Sequence, residues 1–311
     1  MTAPFPVALV GVGKIARDQH IPAIAADPDF ELVSAVSRHA TVEGVANYPD
    51  LGRFLAEGPP AAVVLCVPPA ARTPLALEAL AAGRDVMLEK PPAATFGEVE
   101  RMVAAARARG CVLFATWHSR FAPAVAGARA WLAERVPREV RIVWKEDVRR
   151  WHPGQAWIWQ AGGFGVFDPG INALSVLTEI LPGPFAVDAA RLTVPENCAT
   201  PIAAELAMTG AEGYPVRVEL DWRQEGPQTW DIAVETDRGR LDLSLGGAAM
   251  AVDGREVARA PEREYPLIYR RFAELLRNRR SEVDASPLRI VADAFLVGER
   301  EATGPFVEER A

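Results

Sequence analysis

Gly11-Val12-Gly13-Lys14-Ile15-Ala16 decides the fold of this chain. The six residues fit G-x-G-x-x-G/A, directly after an apolar run (6–10) and at the opening of a helical stretch, which is the context the pattern requires. Gly11 permits a tight turn, Gly13 lets the backbone approach a pyrophosphate, and Ala16 keeps the helix close to the sheet. The helix N-terminus then faces the anion. Working outward, residues 30–36 read as the next strand. Residues 61–67 ("AAVVLCV"), bounded by Pro-Pro on both sides, read as a strand buried on both faces. Strands at 86–88 and 111–116 follow, with alanine-rich helical stretches around 70–83 and 96–109 between them. Strands alternating with helices predict βαβ units, hence a doubly wound parallel sheet, a Rossmann domain, over residues 1–119.

After about residue 120 the pattern changes. A helix at 122–134 leads to the strand "EVRIVWKEDV", then to a loop rich in Trp, Pro and Gly, then to a helix after Asp168. Pro169 suits the first helical position, which makes Asp168 the expected N-cap. Between 186 and 252 the segments "RLTV", "IAAELAM", "VRVELDW", "TWDIAVET" and "RLDLSL" are joined by short polar turns and predict an antiparallel sheet; Val216, Val218 and Leu220 share one face. Helices near 265–279 and 287–302 close the chain, the last expected to pack back on the first domain. Residues 120–311 thus form a second, α+β domain.

The second strand selects the cofactor. An NAD site places an acid at its end; here stand Ser37-Arg38-His39, with no acid between Leu32 and Val42. Arg38 can pair with a 2′-phosphate and Ser37 can donate to it, so NADP is favoured over NAD. Lys14, Ile15, Pro68, Glu89 and Lys90 complete the residues expected at the cofactor. Glu89-Lys90-Pro91-Pro92 follows "DVML", at the carboxyl edge of the sheet where such folds bind ligands. Only three lysines, Lys14, Lys90 and Lys145, stand among 34 basic residues, so the survivors are enriched for places where arginine cannot serve. A partly buried amine at position 90 could polarise a hydroxyl or relay its proton.

The net charge of −7 argues against nucleic acid or an anionic membrane as a partner. Cys66, Cys111 and Cys198 lack metal or redox spacing, which suits a reducing compartment. The beginning of the sequence has no basic region before its apolar stretch, and no apolar run approaches the ~18 residues of a membrane span. The expectation is a cytoplasmic protein. No cluster has metal-ligand spacing, and a dinucleotide itself accepts hydride.

Together, the glycine loop, Glu89-Lys90-Pro91 and the stretch from Gly162 through Asp168 to Asn172 resemble the Gfo/Idh/MocA oxidoreductase family in order and spacing over nearly the whole chain. The resemblance implies a Rossmann domain followed by a domain with an open-faced sheet. It also implies a site built from the lysine of Glu-Lys-Pro and an Asp-x-x-x-His motif, carried over to Lys90, Asp168 and position 172. Position 172 is Asn here, and an amide is no general base near neutral pH. "WKEDVRRWHPGQAWIW" and "FATWHSRF" resemble the branch of L-arabinose and D-galactose 1-dehydrogenases. That branch implies oxidation of an aldose at its anomeric carbon to a lactone. Read from the residues, Asp168 and Asn172 at i and i+4 share one helix face, so Asp168 or neutral Lys90 is expected to take the C1-hydroxyl proton and Asn172 to hold a hydroxyl. Glu146, Trp151, His152 and Trp159 are candidate sugar ligands, and so is His118; His152 is also a candidate for the missing base. Core packing is the alternative for each tryptophan. Reduction of a keto-sugar, oxidation at a ring carbon and a non-catalytic cofactor-binding regulator are the competing readings. The open-faced sheet would leave a broad apolar surface if uncovered, so a homo-oligomer that buries it is expected.

Overall fold

A computed structural model describes residues 3–261 and 263–308. The chain divides into two compact units, one running up to His118 and resuming over Glu264–Ala285, the other formed by Ser119–Arg263 and the residues from Ser286 onward.

In the first unit the strands are β1 (Phe5–Val10), β2 (Phe30–Val36), β3 (Ala46–Tyr48), β4 (Ala62–Leu65), β5 (Val86–Leu88) and β6 (Leu113–Ala115). They pair in parallel in the order β3-β2-β1-β4-β5-β6. This is the dinucleotide-binding order, with its switch point between β1 and β4. Val63, Val64 and Leu65 are fully buried, as a strand covered on both faces must be. The connecting helices are α1 (Ile21–Ala26), α2 (Leu51–Glu57), α3 (Pro69–Ala81) and α4 (Phe96–Arg109). Local chemistry ends them where expected: Thr95 and Glu98 form a capping box at the start of α4, and Gly110 closes it in the left-handed conformation.

The second unit opens with α5 (Val125–Leu132), β7 (Pro137–Lys145), the single turn α6 (Val148–Trp151) and α7 (Phe167–Ile180). Then come β8 (Ala186–Pro195), β9 (Ala203–Thr209), β10 (Pro215–Asp221), β11 (Thr229–Thr236), β12 (Gly239–Ser244), β13 (Ala249–Val252) and β14 (Arg255–Arg259). The chain next forms α8 (Glu264–Asn278), which belongs to the first unit, and returns with α9 (Ser286–Val297) and β15 (Gly298–Thr303). The sheet runs β14-β13-β12-β11-β7-β10-β9-β8-β15. It is antiparallel except for β7 with β10 and β8 with β15.

Four sequence expectations are corrected here. The last helix stops at Val297, and Gly298–Thr303 becomes a charged edge strand beside β8. The C-terminal helix packed in the first unit is therefore α8, whose Tyr265, Ile268, Tyr269, Phe272 and Leu276 bury one stripe, while α9 lies against β8 and α7. Asp168 is not the N-cap: α7 begins one residue earlier, at Phe167. Finally, the uncovered sheet face is not apolar. The helical side buries Val140, Ile142, Val216, Val218, Leu220 and Ile232, with Gly170 letting α7 approach so closely that a Cβ there would lie 2.5 Å from Leu220 Cδ1. The opposite side carries Arg141 and Lys145 paired with Glu219, and Arg191 paired with Glu205 and Glu301.

Candidate active site

Each unit carries part of the candidate set: the residues expected at the cofactor, with Lys90 and His118, in the first, and Asp168, Asn172 and the other candidate sugar ligands in the second. In the first, Gly11 has φ +91°, and a Cβ on it would lie 2.8 Å from Val67 Cγ1 and 3.1 Å from the Cys66 carbonyl, so only glycine fits under the end of β4. Gly13 is the opposite case. It is exposed, and a Cβ there would meet nothing within 4 Å. The open space above its backbone is what close approach of a pyrophosphate needs, and the helix that starts at Lys14 aims its N-terminus there. The residues present therefore fit a nicotinamide dinucleotide. Lys14 pairs with Asp18 one turn on, and Ile15 is half-buried. At the end of β2, Ser37 is half-buried with its N–H on the Tyr48 carbonyl, and Arg38 is exposed. Arg17 donates to the Thr41 carbonyl at 3.3 Å, which brings a second guanidinium to the loop after β2. No local pattern marks Arg17, because its nearness depends on where that loop folds. Pro68 is exposed and precedes α3.

Glu89 and Lys90 follow β5. Glu89 is buried, and its Oε1 accepts from His20 Nε2 at 3.0 Å and from the Tyr265 hydroxyl at 2.9 Å. Its Oε2 accepts the Lys90 N–H at 3.1 Å. Burial alone would raise the Glu89 carboxyl, but the hydrogen bond and charge of His20, with His118 and Arg72 nearby, bring it down to about 2. Lys90 is half-buried, and the Lys90–Pro91 peptide is cis. His118 Nδ1 sits 2.6 Å from Glu264 Oε2. Burial works against its charged form, yet the Glu264 carboxylate holds its pKa above the ordinary histidine value.

The second unit gathers the candidate sugar ligands. Asp168, buried in the first turn of α7, has its Oδ2 3.5 Å from His152 Nε2. Glu146 is buried at the end of β7, and its Oε1 lies 4.0 Å from the same nitrogen. Two indoles hold the Glu146 carboxylate: Trp222 Nε1 donates to Oε1 at 3.2 Å and Trp230 Nε1 to Oε2 at 2.9 Å. His152 follows α6, which Asp147 caps by accepting the Arg149 N–H. Its ring lies 5.2 Å from that of Trp222. Asn172 is half-buried, one turn beyond Asp168. Trp159 packs its ring on Trp222 and Phe306, and Trp151, partly exposed, packs on Trp230. So Glu146, His152 and Asp168 are brought together, Trp151 and Trp159 flank them, and Trp222 and Trp230, which the sequence alone placed only within the segments "VRVELDW" and "TWDIAVET", join them. An imidazole beside two carboxylates, one of them held by two indoles, can accept and pass on a proton.

Residues 5–116 match the oxidoreductase family with an NAD-binding Rossmann fold known as GFO_IDH_MocA. The chain is 46% identical over 310 residues to galactose 1-dehydrogenase of Pseudomonas fluorescens, covering 98% of this chain and 99% of that protein. It superposes on the crystal structure of D-galactose-1-dehydrogenase from Rhizobium etli with a TM-score of 0.95, 52% identity and 99% coverage of both chains. A 3-ketoreductase from Actinomadura kijaniata, solved with TDP-benzene and NADP, shares the fold at 19% identity and a TM-score of 0.85, covering 96% of this chain and 99% of that one. With the Pseudomonas fluorescens galactose 1-dehydrogenase matched nearly end to end, and the glycine loop, Glu-Lys-Pro turn and buried Asp168 in place, the chain belongs to the Gfo/Idh/MocA oxidoreductase family.

Proposed function

We propose that this oxidoreductase is an NADP-dependent aldose 1-dehydrogenase that converts a sugar of the D-galactose or L-arabinose type to its aldonolactone. The observation that carries the reading is His152 set between Asp168 and Glu146, because it supplies the titratable group that Asn172 lacks. The bound dinucleotide supplies the hydride acceptor. His152 takes the proton of the C1 hydroxyl as the C1–H bond gives up its hydride and the C1–O bond becomes a carbonyl. The ring oxygen of the sugar stabilises the charge that develops on C1. Asp168 orients the imidazole and stabilises its protonated form, as a carboxylate does beside a catalytic histidine. Glu146, fixed by the Trp222 and Trp230 indoles, grips a hydroxyl, and the Trp151 and Trp159 rings offer flat apolar faces. Lys90 polarises the oxygen of the reacting carbon. Arg38, Ser37 and Arg17 favour the 2′-phosphate of NADP, since no carboxylate at the end of β2 repels it. The relatives named for galactose support the sugar class.

The test is absorbance of reduced nicotinamide with NADP and then NAD against D-galactose, L-arabinose, D-xylose, D-glucose and myo-inositol. Rapid NADP reduction with galactose or arabinose is expected, with lactone as product. Silence with every aldose despite cofactor binding overturns the reading, and a product oxidised at a ring carbon replaces it.

A further inference from the structure

His20 is buried in the first unit and has no part in the chemistry above, yet it is the hub of a closed set of polar contacts. It lies at the end of a wide, π-helical turn, Ala16–His20, in which the Ile21 N–H reaches back five residues to the Ala16 carbonyl. Such a turn inserts one residue into a helix and recurs at functional sites. It occurs in the helix that starts at the glycine loop. His20 Nδ1 is 2.9 Å from the Tyr269 hydroxyl and Nε2 is 3.0 Å from Glu89 Oε1. The groups facing His20 are the Cys66 thiol at the end of β4, Glu89 at the end of β5, and Tyr265 and Tyr269 on α8. Burial disfavours the charged ring, but the Cys66 thiol, Tyr269 and Glu89 together hold its pKa well above the ordinary 6.5.

The backbone around Lys90 is pinned from both sides of this network. Glu89 Oε2 accepts the Lys90 N–H at 3.1 Å. Arg72, buried on α3, donates to the Glu89 and Pro91 carbonyls and, at 2.5 Å, to the Val67 carbonyl. The Glu89 carboxylate thus has one oxygen on His20 and Tyr265 and the other on the peptide that carries Lys90. Removing His20 would take from a buried carboxylate the cationic donor hydrogen-bonded to it, and such a group turns or takes up a proton rather than lose that partner uncompensated.

We infer that His20 is a positioning residue for Lys90: its imidazole ties the helix of the glycine loop to Glu89, and Glu89 fixes the Lys90–Pro91 turn against that loop. The inference rests on the role of Lys90 proposed above. The Tyr269 hydroxyl can donate to Nδ1 of the neutral ring, so the Nε2–H bond to Glu89 does not need the charged form. The charge of the ring adds to the tie, fully below pH about 6.5, and that part is lost as the pH rises through the raised value of the folded protein.

The experiment uses the full chain and three variants, His20→Leu, His20→Gln and Lys90→Met. Turnover, sugar KM and cofactor affinity, read from reduced-nicotinamide fluorescence, are measured across pH. His20→Leu should lose roughly tenfold to hundredfold in kcat, the scale of a small misplacement of a reacting group, with sugar KM within about threefold. His20→Gln, whose amide can still donate to Glu89, should recover most of that loss and no longer follow the His20 titration. The chain has four histidines, so the His20 ring can be assigned by NMR from the His20→Gln spectrum. In the wild type it should titrate well above 6.5. In the Lys90→Met background, His20→Leu should slow the enzyme no further, because it acts through Lys90. Unchanged kcat in folded His20→Leu, or a ring that titrates at the ordinary value while Lys90→Met is inactive, overturns the inference. Full turnover by Lys90→Met alone overturns instead the role given to Lys90.

Discussion

His20 and His152 are both imidazoles set against carboxylates, one in each unit, and they are built in opposite ways. His20 is wholly buried, with Tyr269 at 2.9 Å and Glu89 at 3.0 Å, so both ring nitrogens are committed at hydrogen-bond distance. His152 keeps 18% of its side chain exposed, and its carboxylate neighbours stand off at 3.5 Å and 4.0 Å. A ring committed on both sides at full burial has no freedom to exchange protons with a ligand, and it fixes what it touches. A ring that stays partly exposed beside carboxylates can accept a proton, provided its neighbours are themselves held, as Glu146 is by two indoles. The same residue type is spent on rigidity in one unit and on reactivity in the other.

The largest effect that would break this comparison lies at His152. Replacing it with Ala should lower kcat about 10²- to 10⁴-fold, the usual worth of a positioned general base, with cofactor affinity unchanged. Asp168→Asn should fall in the same direction with a smaller loss, because the imidazole keeps its place but loses the charge that favours its protonated form. If His152→Ala instead raises sugar KM and leaves kcat alone, His152 binds a hydroxyl and the proton goes elsewhere. Steady-state kinetics with the preferred sugar separate the two.

The contrast also explains which parts were legible in sequence. Gly11, Gly13 and Ala16 act through their own backbone and nearest neighbours, so spacing alone revealed them. Strands β4 and β10 were readable for the same reason, since burial on two faces or one leaves a local pattern. His20 with Glu89 is a contact across 69 residues, and His152 with Asp168 across 16; neither leaves any pattern in the chain. The indole N–H groups of Trp222 and Trp230 were hidden for another reason: a tryptophan at strand period reads as apolar area, and its single donor shows only once Glu146 is beside it. The segment Gly298–Thr303 misled because its charged residues continue a helical run as easily as they blunt a sheet edge.

A smaller effect sharpens the cofactor side of the comparison. Arg38→Ala should weaken NADP about tenfold to hundredfold, the worth of one charge-assisted contact, and leave NAD within about twofold. Arg17→Ala should act in the same direction and less, because Arg17 also spends a donor on the Thr41 carbonyl. Equal losses for NADP and NAD would mean that these side chains support the loop rather than read the phosphate. Fluorescence titration with the two reduced cofactors decides it.

The smallest expected effect concerns the charged sheet face, where ion pairs lie in water rather than in a closed site. Glu219 accepts from Arg141 at 2.9 Å and from Lys145 at 3.0 Å, and their charges hold its carboxyl below the ordinary range despite partial burial. All three side chains are more than 30% exposed, so solvent screens the pairs that look so well formed. Glu219→Gln should therefore cost less than about 1 kcal/mol in denaturant unfolding, with less still at high salt. Its mass by light scattering should equal that of the wild type. A loss well above that, or a change of mass, would mean that these charges are desolvated in solution, as they would be under a second copy of the chain. A face that loses little when its charge is removed behaves as exposed surface, in contrast to Glu89, where the same carboxylate chemistry is sealed from water and every partner counts.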